Sequence, residues 1–355
     1  MKLALCVVAF SLINFSYASS LKHDLDKIIS KYQKGNSFQG TVKVFKKGKE
    51  IYRKNLGFAS VEHKVKIQSD TVFQVGSLTK QFVAVGILKL FEMGKIDLDG
   101  NVSQYLKTPK HWEDVTIHHL LTHTSALKRN APITTKESSA FHTLKDVFDS
   151  ISSESLRDKQ KPGDKFAYSN AGYSVLAYII EVVSQKSYQE FMNKFVFGPA
   201  KLNSTGVFHQ SLIVPNRAEG YVVFKSNDYR ACCFDYTNTY GAGDVYSTAD
   251  ELFKWYTLLK SNLVISKKSL DLLFTEHIQH SRQSWSYGYG WIIDKYKGSD
   301  IIWHNGSVNG FLADLSIMPN KEIFTVILSN KVVRPTTFYL DKFRNNLIDR
   351  VLLEK

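Results

Sequence analysis

Apolar and polar residues recur with two different periods along this chain of 355 residues. Near the N-terminus, apolar positions three or four residues apart predict a helix with one face on a core: Leu21, Leu25, Ile28, Ile29 and Tyr32. The next segments, "FQGTVKVFKKG" and "KEIYRKNLGFAS", alternate with the period of two typical of strands around a "KKGK" turn, which predicts a β-hairpin. The chain is therefore expected to begin with a helix and two antiparallel strands.

The C-terminal part shows the same strand pattern. Short strand candidates, separated by the turn segments "KGS", "NGSVNG" and "PNKE", are "YGWIIDKY", "DIIWH", "FLADLSIMP" and "IFTVILSN". A closing helix is indicated by one apolar stripe, which is typical of a face packed on a sheet and comprises Leu340, Phe343, Leu347, Val351 and Leu352.

The segment between these ends, from about Ser77 to Ser281, has mainly helical patterns and long polar loops. Strands at both chain ends with helices between them predict an α/β plus all-α fold. An antiparallel sheet from both chain ends, flanked by terminal helices, would comprise residues 19–76 and 282–355, and an inserted helical region would comprise residues 77–281.

The first 20 residues indicate export. Lys2 precedes an apolar stretch that reaches about Phe15, and the small residues of "SYA" suit signal-peptidase cleavage after Ala18. The apolar stretch is shorter than the roughly 20 residues that span a bilayer, which argues against a stable transmembrane anchor. We therefore predict a signal peptide over residues 1–18, a mature domain over residues 19–355, and a periplasmic or secreted location.

The net charge bears on which macromolecules the protein could bind, and the cysteines bear on whether it could hold a disulfide or a zinc ion. The formal net charge is +13, but the lysines are scattered without a dense basic run or an aromatic binding motif, so nucleic acid is not expected as a partner. A solvated lysine-rich surface is one interpretation of this charge, and for an exported protein attraction to anionic polymers of the cell envelope, including peptidoglycan, is the other. Cys232 and Cys233 are sequence neighbours, which rarely form a disulfide, and they lack the spacing of a zinc site. We interpret them as buried thiols.

A candidate nucleophile lies in "FQVGSLTKQFVAVGILKLFEMGK", which predicts an amphipathic helix that begins near Ser77. A spacing of three brings the Ser77 hydroxyl close to the Lys80 amine, and a lysine can take a serine proton if burial or other cations lower its pKa. The same Ser-x-x-Lys pattern occurs at Ser19 and Ser125. Only the copy at Ser77 opens a long helix directly after a strand-like segment.

Two further segments contain residues that could take part in a reaction or contact a substrate. Tyr168 and Asn170 lie in "YSN" directly before another amphipathic helix, where the tyrosine hydroxyl could relay a proton and the amide could contact both Lys80 and a substrate carbonyl. His304 and Gly306 lie in "HNG", predicted at the end of a strand, where the glycine would permit close approach by a ligand.

In this order, "SLTK", "YSN" and "HNG" resemble the three active-site elements of the serine penicillin-recognising enzymes, which include DD-peptidases, class C β-lactamases and related esterases. The segments "VTIHHLLTHTSAL", "FGPAKLNSTGVF", "GAGDVYSTADELFKW" and "YGYGW" also resemble segments around the site of these proteins. The resemblance therefore covers nearly all of the mature chain and implies a β-lactamase/DD-peptidase-like fold.

The resemblance implies a role for each motif residue. Ser77 would be the acylated nucleophile, and Lys80 and Tyr168 would be the proton-transfer pair. Asn170 would contact the substrate amide, and the backbone N–H groups of Ser77 and Ser307 would form the oxyanion hole. Acylation and hydrolysis by this set would require no metal and no organic cofactor.

The third element departs from the pattern of many β-lactamases, in which a lysine helps to hold the antibiotic's carboxylate. Here His304 takes that position, followed by the further substrate-binding candidates Asn305 and Gly306. An unperturbed histidine is mostly neutral near pH 7. This combination resembles D-alanyl-D-alanine carboxypeptidases, D-aminopeptidases and family esterases more than an efficient β-lactamase.

We therefore expect an exported serine hydrolase that acts like a DD-peptidase on peptidoglycan or other D-amino-acid peptides. An esterase or weak β-lactamase with the same residues is the close alternative, and an inactive envelope-binding or sensor protein is the alternative of another class. His118, His119 and His123 are interpreted as capping or core residues rather than metal ligands. Arg282 could dock a substrate carboxylate but is interpreted as a solvated loop residue.

Overall fold

A computed structural model describes residues 20–33, 38–132, 142–209, 211–225, 227–232, 236–334 and 340–354. The predicted signal peptide and Cys233 lie outside these residues. The helices are α1 (20–33), α2 (Thr79–Glu92), α3 (Ile117–Leu121), α4 (Leu144–Ser152), α5 (Asn170–Ser184), α6 (Tyr188–Met192), α7 (Ala249–Lys260), α8 (Lys267–Leu273) and α9 (Leu340–Leu352). Within the described ranges, no helix combines the length and apolar character needed to cross a bilayer.

The strands follow the same chain order. They are β1 (Gly40–Lys46), β2 (Lys49–Leu56), β3 (Phe58–Ser60), β4 (Val65–Lys66), β5 (Phe73–Gln74), β6 (Gly206–Val207), β7 (Tyr221–Phe224), β8 (Asn227–Arg230), β9 (Val245–Ser247), β10 (Ile278–Gln279), β11 (Ser286–Tyr287), β12 (Ile292–Tyr296), β13 (Ser299–Val308), β14 (Phe311–Met318), β15 (Ile323–Ser329) and β16 (Lys331–Arg334).

The main sheet joins both ends of the chain, as predicted. Its strand order is β10-β11-β12-β13-β14-β15-β1-β2, and all neighbours are antiparallel. The predicted hairpin is confirmed: β1 and β2 meet at Lys47 and Gly48, both with positive φ, which suits the right-handed twist of the two strands. The C-terminal contribution to the sheet begins at Ile278, slightly before the predicted boundary at residue 282.

Each face of the main sheet is covered by helices. α1 and α9 pack on one face through a core that includes Leu25, Ile29, Phe343 and Leu347, and the inserted region covers the other face. Because both faces are covered, β1 is buried almost throughout and even Lys43 is fully buried, paired with Asp250 of α7. The alternation of apolar and polar residues in the sequence therefore does not correspond to an exposed face of β1.

The inserted region is built around α2, which is buried on nearly all sides. α5 crosses α2 at Gly86, where an added Cβ would lie 2.9 Å from the Ile180 side chain, so a larger residue would require that side chain to shift. Elsewhere the described chain forms short sheets that the hydrophobic pattern did not reveal, with strand orders β5-β9-β6, β16-β7-β8 and β3-β4. Strands of two to four residues are too short to show a period of two.

One turn prediction was wrong. The "NGSVNG" segment was expected to be a turn, but β13 continues through it to Val308 and pairs with β14 up to Val308 and Phe311. Only Asn309 and Gly310 form the turn, with Gly310 at positive φ. The "HNG" motif therefore lies inside a ten-residue strand rather than at the end of a strand.

Candidate active site

The candidate nucleophile lies at the junction between a strand and the central helix. β5 leads into a 3-10 turn over Gly76–Leu78, and α2 follows directly at Thr79. Gly76 has φ +53, a conformation that favours glycine and lets the chain reverse sharply before the helix. Ser77 is held in this turn, half-buried, in the wall of a cleft of about 460 Å³.

Lys80 lies one helical turn beyond Ser77 and is fully buried. Its Nζ donates to Asn170 Oδ1 at 2.9 Å and to the Ala242 carbonyl oxygen at 2.7 Å, and it lies 3.1 Å from Ser77 Oγ. A neutral amine has two N–H groups and one lone pair. Because both N–H groups are used by oxygens that can only accept, the lone pair points to the Ser77 hydroxyl.

The surroundings of Lys80 favour that neutral form. Burial lowers the pKa of Lys80 well below its usual 10.5, and the nearby charge of Arg129 lowers it further, while the buried carboxyl of Asp244 opposes the shift. Burial raises the pKa of Asp244 itself to about 7, so near neutral pH this carboxyl opposes the shift only in part. Lys80 is therefore suited to accept a proton from Ser77.

Tyr168 and Asn170 approach Lys80 from the start of α5. Ser169 caps this helix, since its hydroxyl accepts from the Gly172 N–H at 3.0 Å, and this fixes the residues on either side. Burial raises the pKa of Tyr168 above 10, although its hydrogen bond to Ser77 opposes the shift, so Tyr168 keeps its proton near neutral pH. Tyr168 lines the same cleft as Ser77 and is placed to exchange a proton with its hydroxyl.

The third element brings β13 against the nucleophile turn. An added Cβ on Gly306 would lie 2.0 Å from the Val75 carbonyl oxygen and 3.1 Å from the Ser77 nitrogen, and one on Gly76 would lie 2.7 Å from the Ser307 nitrogen. Gly306 therefore permits close approach by the chain's own backbone, which corrects the expectation that a ligand fills this space. The contact brings together the two segments whose backbone N–H groups were predicted to form an oxyanion hole.

His304 is fixed by a directed chain of hydrogen bonds. The Ser169 N–H donates to His123 Nδ1 at 3.1 Å, so the neutral His123 ring carries its proton on Nε2 and donates to the Tyr287 hydroxyl at 3.2 Å. His304 Nδ1 donates to the Asn305 carbonyl at 2.6 Å, so its Nε2 accepts from the Tyr287 hydroxyl at 3.1 Å. Burial lowers the pKa of His304 to about 3.

A Tyr287→Phe variant is expected to break this chain and to destabilise the fold. It leaves the His123 Nε2–H and the His304 Nε2 without partners in a buried site, which costs about 1–3 kcal/mol per unsatisfied group. Urea unfolding would measure the loss of stability, and turnover should fall with it because His304 borders the cleft.

Tyr289→Phe is the matched control for this variant. Tyr289 also bonds a histidine, His118, with 2.8 Å between the hydroxyl and Nδ1, but it does not line the cleft. Equal losses of turnover in the two variants would contradict a specific role of the hydrogen bonds of Tyr287 in positioning His304.

Several other sequence predictions can be compared with the structure. His119 belongs to a capping box with Thr116, and no group of three or more possible metal ligands occurs in the part of the chain that the structure describes. Arg282 is exposed and lies outside the cleft lining, in agreement with a solvated loop residue.

Cys232 is also exposed, so its interpretation as a buried thiol was wrong. It follows a surface hairpin, β7–β8, whose second strand is exposed throughout.

The other copies of the Ser-x-x-Lys pattern do not form a comparable pair. Ser125 is buried and its hydroxyl accepts from the Leu127 N–H, whereas the exposed Lys128 pairs with Glu154. Ser19 lies outside the described residues.

Sequence reasoning missed part of the cleft. Asn130 accepts from Asn170 Nδ2 at 2.8 Å and so fixes which side of that amide faces Lys80. Arg129 lines the cleft, and an aromatic wall is formed by Phe166, Trp285 and Trp303. Tyr287 falls in "YGYGW", which the sequence marked only as resembling a segment near the site. No local pattern distinguishes these residues from ordinary loop and strand positions.

Comparison with known proteins supports the resemblance. The family described as Beta-lactamase matches residues 25–348. PbpX of Bacillus subtilis (strain 168), which is named as a penicillin-binding protein, is 30% identical over 307 residues, covering 86% of this chain and 74% of that protein. A penicillin binding protein from Bacillus halodurans has a TM-score of 0.78 at 24% identity and covers 92% of this chain and 98% of its own.

A second solved structure shows the same fold. The D-amino acid amidase from Ochrobactrum anthropi SV3, complexed with L-phenylalanine, has a TM-score of 0.79 at 21% identity and covers 94% of this chain and 97% of its own. The predicted β-lactamase/DD-peptidase-like fold is therefore confirmed over nearly the whole chain.

Proposed function

Because the chain belongs to the beta-lactamase family of serine hydrolases, we propose that it hydrolyses D-amino-acid peptides through an acyl-enzyme on Ser77. The observation that carries this proposal is the environment of Lys80, whose Nζ lies 2.9 Å from Asn170 Oδ1, 2.7 Å from the Ala242 carbonyl oxygen and 3.1 Å from Ser77 Oγ. A neutral amine in this place donates to the first two atoms and directs its lone pair at the Ser77 hydroxyl. That arrangement supplies a base for a hydroxyl that is otherwise a poor nucleophile.

The proposed acylation begins when Ser77 Oγ attacks the substrate carbonyl carbon and passes its proton to Lys80 Nζ. The backbone N–H groups of Ser77 and Ser307 donate to the oxyanion that develops. When the C–N bond breaks, Tyr168 gives its hydroxyl proton to the leaving nitrogen and receives the proton held by Lys80. Water then attacks the ester carbonyl by the reverse transfers, which releases the acid and restores Ser77.

The third element favours a peptide substrate over a β-lactam antibiotic. With a pKa of about 3, His304 is neutral and cannot supply the fixed charge that a lysine would offer to the carboxylate of a β-lactam. The aromatic wall of Phe166, Trp285 and Trp303 offers an apolar surface to a side chain. We further propose that the protein is exported after cleavage at Ala18 and meets peptidoglycan peptides in the cell envelope.

A labelled penicillin tests the covalent step. We expect stoichiometric labelling of a single tryptic peptide, with the adduct on Ser77, and the same labelling in a Ser125→Ala variant, which changes the other described copy of the motif. Mass spectrometry of the peptides would locate the adduct. Labelling at another residue, or none, would refute the proposed nucleophile.

A substrate panel then tests the substrate class. We expect the highest kcat/KM on peptides ending in D-Ala-D-Ala, lower values on the L,L diastereomers, and slow turnover of short acyl esters and a cephalosporin. Higher rates on esters than on D-peptides would support the esterase alternative. Labelling without turnover of any substrate, together with normal biological function of Ser77→Ala, would support the sensor alternative.

A further inference from the structure

Arg129 is a charged residue of the cleft that the acylation mechanism does not use. Its backbone carbonyl accepts from the N–H groups of Asn170 at 2.6 Å and Ala171 at 3.2 Å, so its position is tied to the start of α5. Its guanidinium carbon lies 4.9 Å from the centroid of the Tyr168 ring. The arginine therefore stacks on the tyrosine and lines the same cleft as Ser77.

The charge of Arg129 has no counterion among the residues that the structure describes, because no carboxylate oxygen in them lies within 4.0 Å of its guanidinium. The described lining of the cleft also contains no acidic residue. The charge instead acts on other cations and lowers the pKa of both Lys80 and Arg157. Arg129 is exposed to solvent at the cleft, so its guanidinium is accessible to an anionic group of the substrate.

We propose that Arg129 binds the free carboxylate of the leaving residue, which makes the enzyme a carboxypeptidase selective for substrates with an unblocked C-terminus. This inference rests on the proposed function. Tyr168 is the proposed donor to the leaving nitrogen, so a group stacked on its ring lies on the leaving-group side of the scissile bond. In a C-terminal residue the carboxylate carbon is two bonds from that nitrogen, about 2.5 Å away. A planar guanidinium can then bind both carboxylate oxygens.

Binding of that carboxylate would also affect the base. Arg129 lowers the pKa of Lys80 through its charge, so neutralising the guanidinium raises the proton affinity of Lys80 when the substrate is in place. The acid limb of kcat, which reports the enzyme–substrate complex, should therefore lie at higher pH than the acid limb of kcat/KM, which reports the free enzyme.

The test compares an acyl-D-Ala-D-Ala peptide with the same peptide carrying a C-terminal amide. Wild-type enzyme is expected to prefer the free acid at least tenfold in kcat/KM. At a pH above the acid limb of every variant, Arg129→Gln should lose most of that preference through a higher KM for the acid, with little change for the amide, and Arg129→Lys should keep part of it. Arg129→Gln should also move the acid limb of kcat/KM to higher pH.

Arg282→Gln is the matched control, since both arginines are exposed but Arg282, which the sequence offered for the same task, lies outside the cleft lining. A loss of acid preference in Arg282→Gln, or equal losses on acid and amide in Arg129→Gln, would overturn the assignment. Labelled penicillin is applied to every variant. Labelling of Ser77 with unchanged acid preference in Arg129→Gln refutes the role of Arg129 alone, whereas absence of labelling in the wild type refutes the proposed function as well.

Discussion

A Ser77→Ala variant is expected to lose covalent labelling completely and to lose turnover of every acyl substrate by at least about 10³-fold. The change removes the only atom proposed to bond to the substrate and leaves the rest of the cleft in place. Ser77 is half-buried and its hydroxyl contacts the Lys80 amine at 3.1 Å, so we expect little change in the free energy of unfolding. Burst kinetics with an activated substrate and urea unfolding would measure the two effects.

Ser125→Ala provides the reference for this experiment. Ser125 has the same Ser-x-x-Lys pattern and is buried, but its lysine is bound to Glu154 on the surface. Turnover by the Ser125→Ala variant should remain within a few-fold of wild type. Retention of more than a tenth of the wild-type turnover in Ser77→Ala would exclude an acyl-enzyme on Ser77.

The second large effect is expected at Lys80. Lys80→Met should lower turnover by about 10²–10⁴-fold because the base is lost. Lys80→Arg should be equally inactive, since a guanidinium keeps its charge at all accessible pH values and cannot accept the Ser77 proton. If Lys80 acted only as a positive charge, the arginine variant would instead remain active.

The same residue should make stability depend on pH. The pKa of Lys80 is lower in the folded protein than the usual 10.5, so below pH 10.5 the unfolded chain binds a proton that the folded protein does not. Folding stability contributed by this site therefore decreases as pH falls from 10.5 toward the folded pKa. Lys80→Met removes this dependence. In urea titrations, the free energy of unfolding of the variant minus that of wild type should therefore be more positive at pH 7 than at pH 9.5.

A difference in stability between Lys80→Met and wild type that does not change with pH would contradict a neutral buried lysine. The acceptors that lose their donor, Asn170 Oδ1 and the Ala242 carbonyl, destabilise the variant by an amount independent of pH. The pH dependence can therefore be separated from this constant loss.

Much of the fold could be predicted from the sequence where the signal is local. The hairpin follows from alternating residues around Lys47 and Gly48, and α9 follows from one apolar stripe that is buried in the structure. The motif residues Ser77, Lys80 and Asn170 do lie together, because the first two share one helical turn and the third begins the helix packed beside it.

The rest of the site depends on contacts that leave no local signal. The Ala242 carbonyl that orients Lys80 is 162 residues away in sequence and is a backbone atom, so its residue type carries no information. Tyr287 joins two histidines from separate segments, and each contact is decided by tertiary packing.

"NGSVNG" contains two Asn-Gly signals, of which only the second forms a turn, since Gly306 is required for contact with Val75.

The pairing of β1 with β15 also determines when during synthesis the enzyme can become reactive. Gly40 pairs with Ser329, so the main sheet cannot close until almost the whole chain has left the ribosome. Ser307 follows Ser77 by about 230 residues, which corresponds to roughly 10–50 s of translation. Throughout this interval the nascent chain carries the nucleophile without the strand that completes its site. Under the proposed export, a chain that is translocated before this strand pairs would keep the reactive serine away from acyl compounds of the cytoplasm.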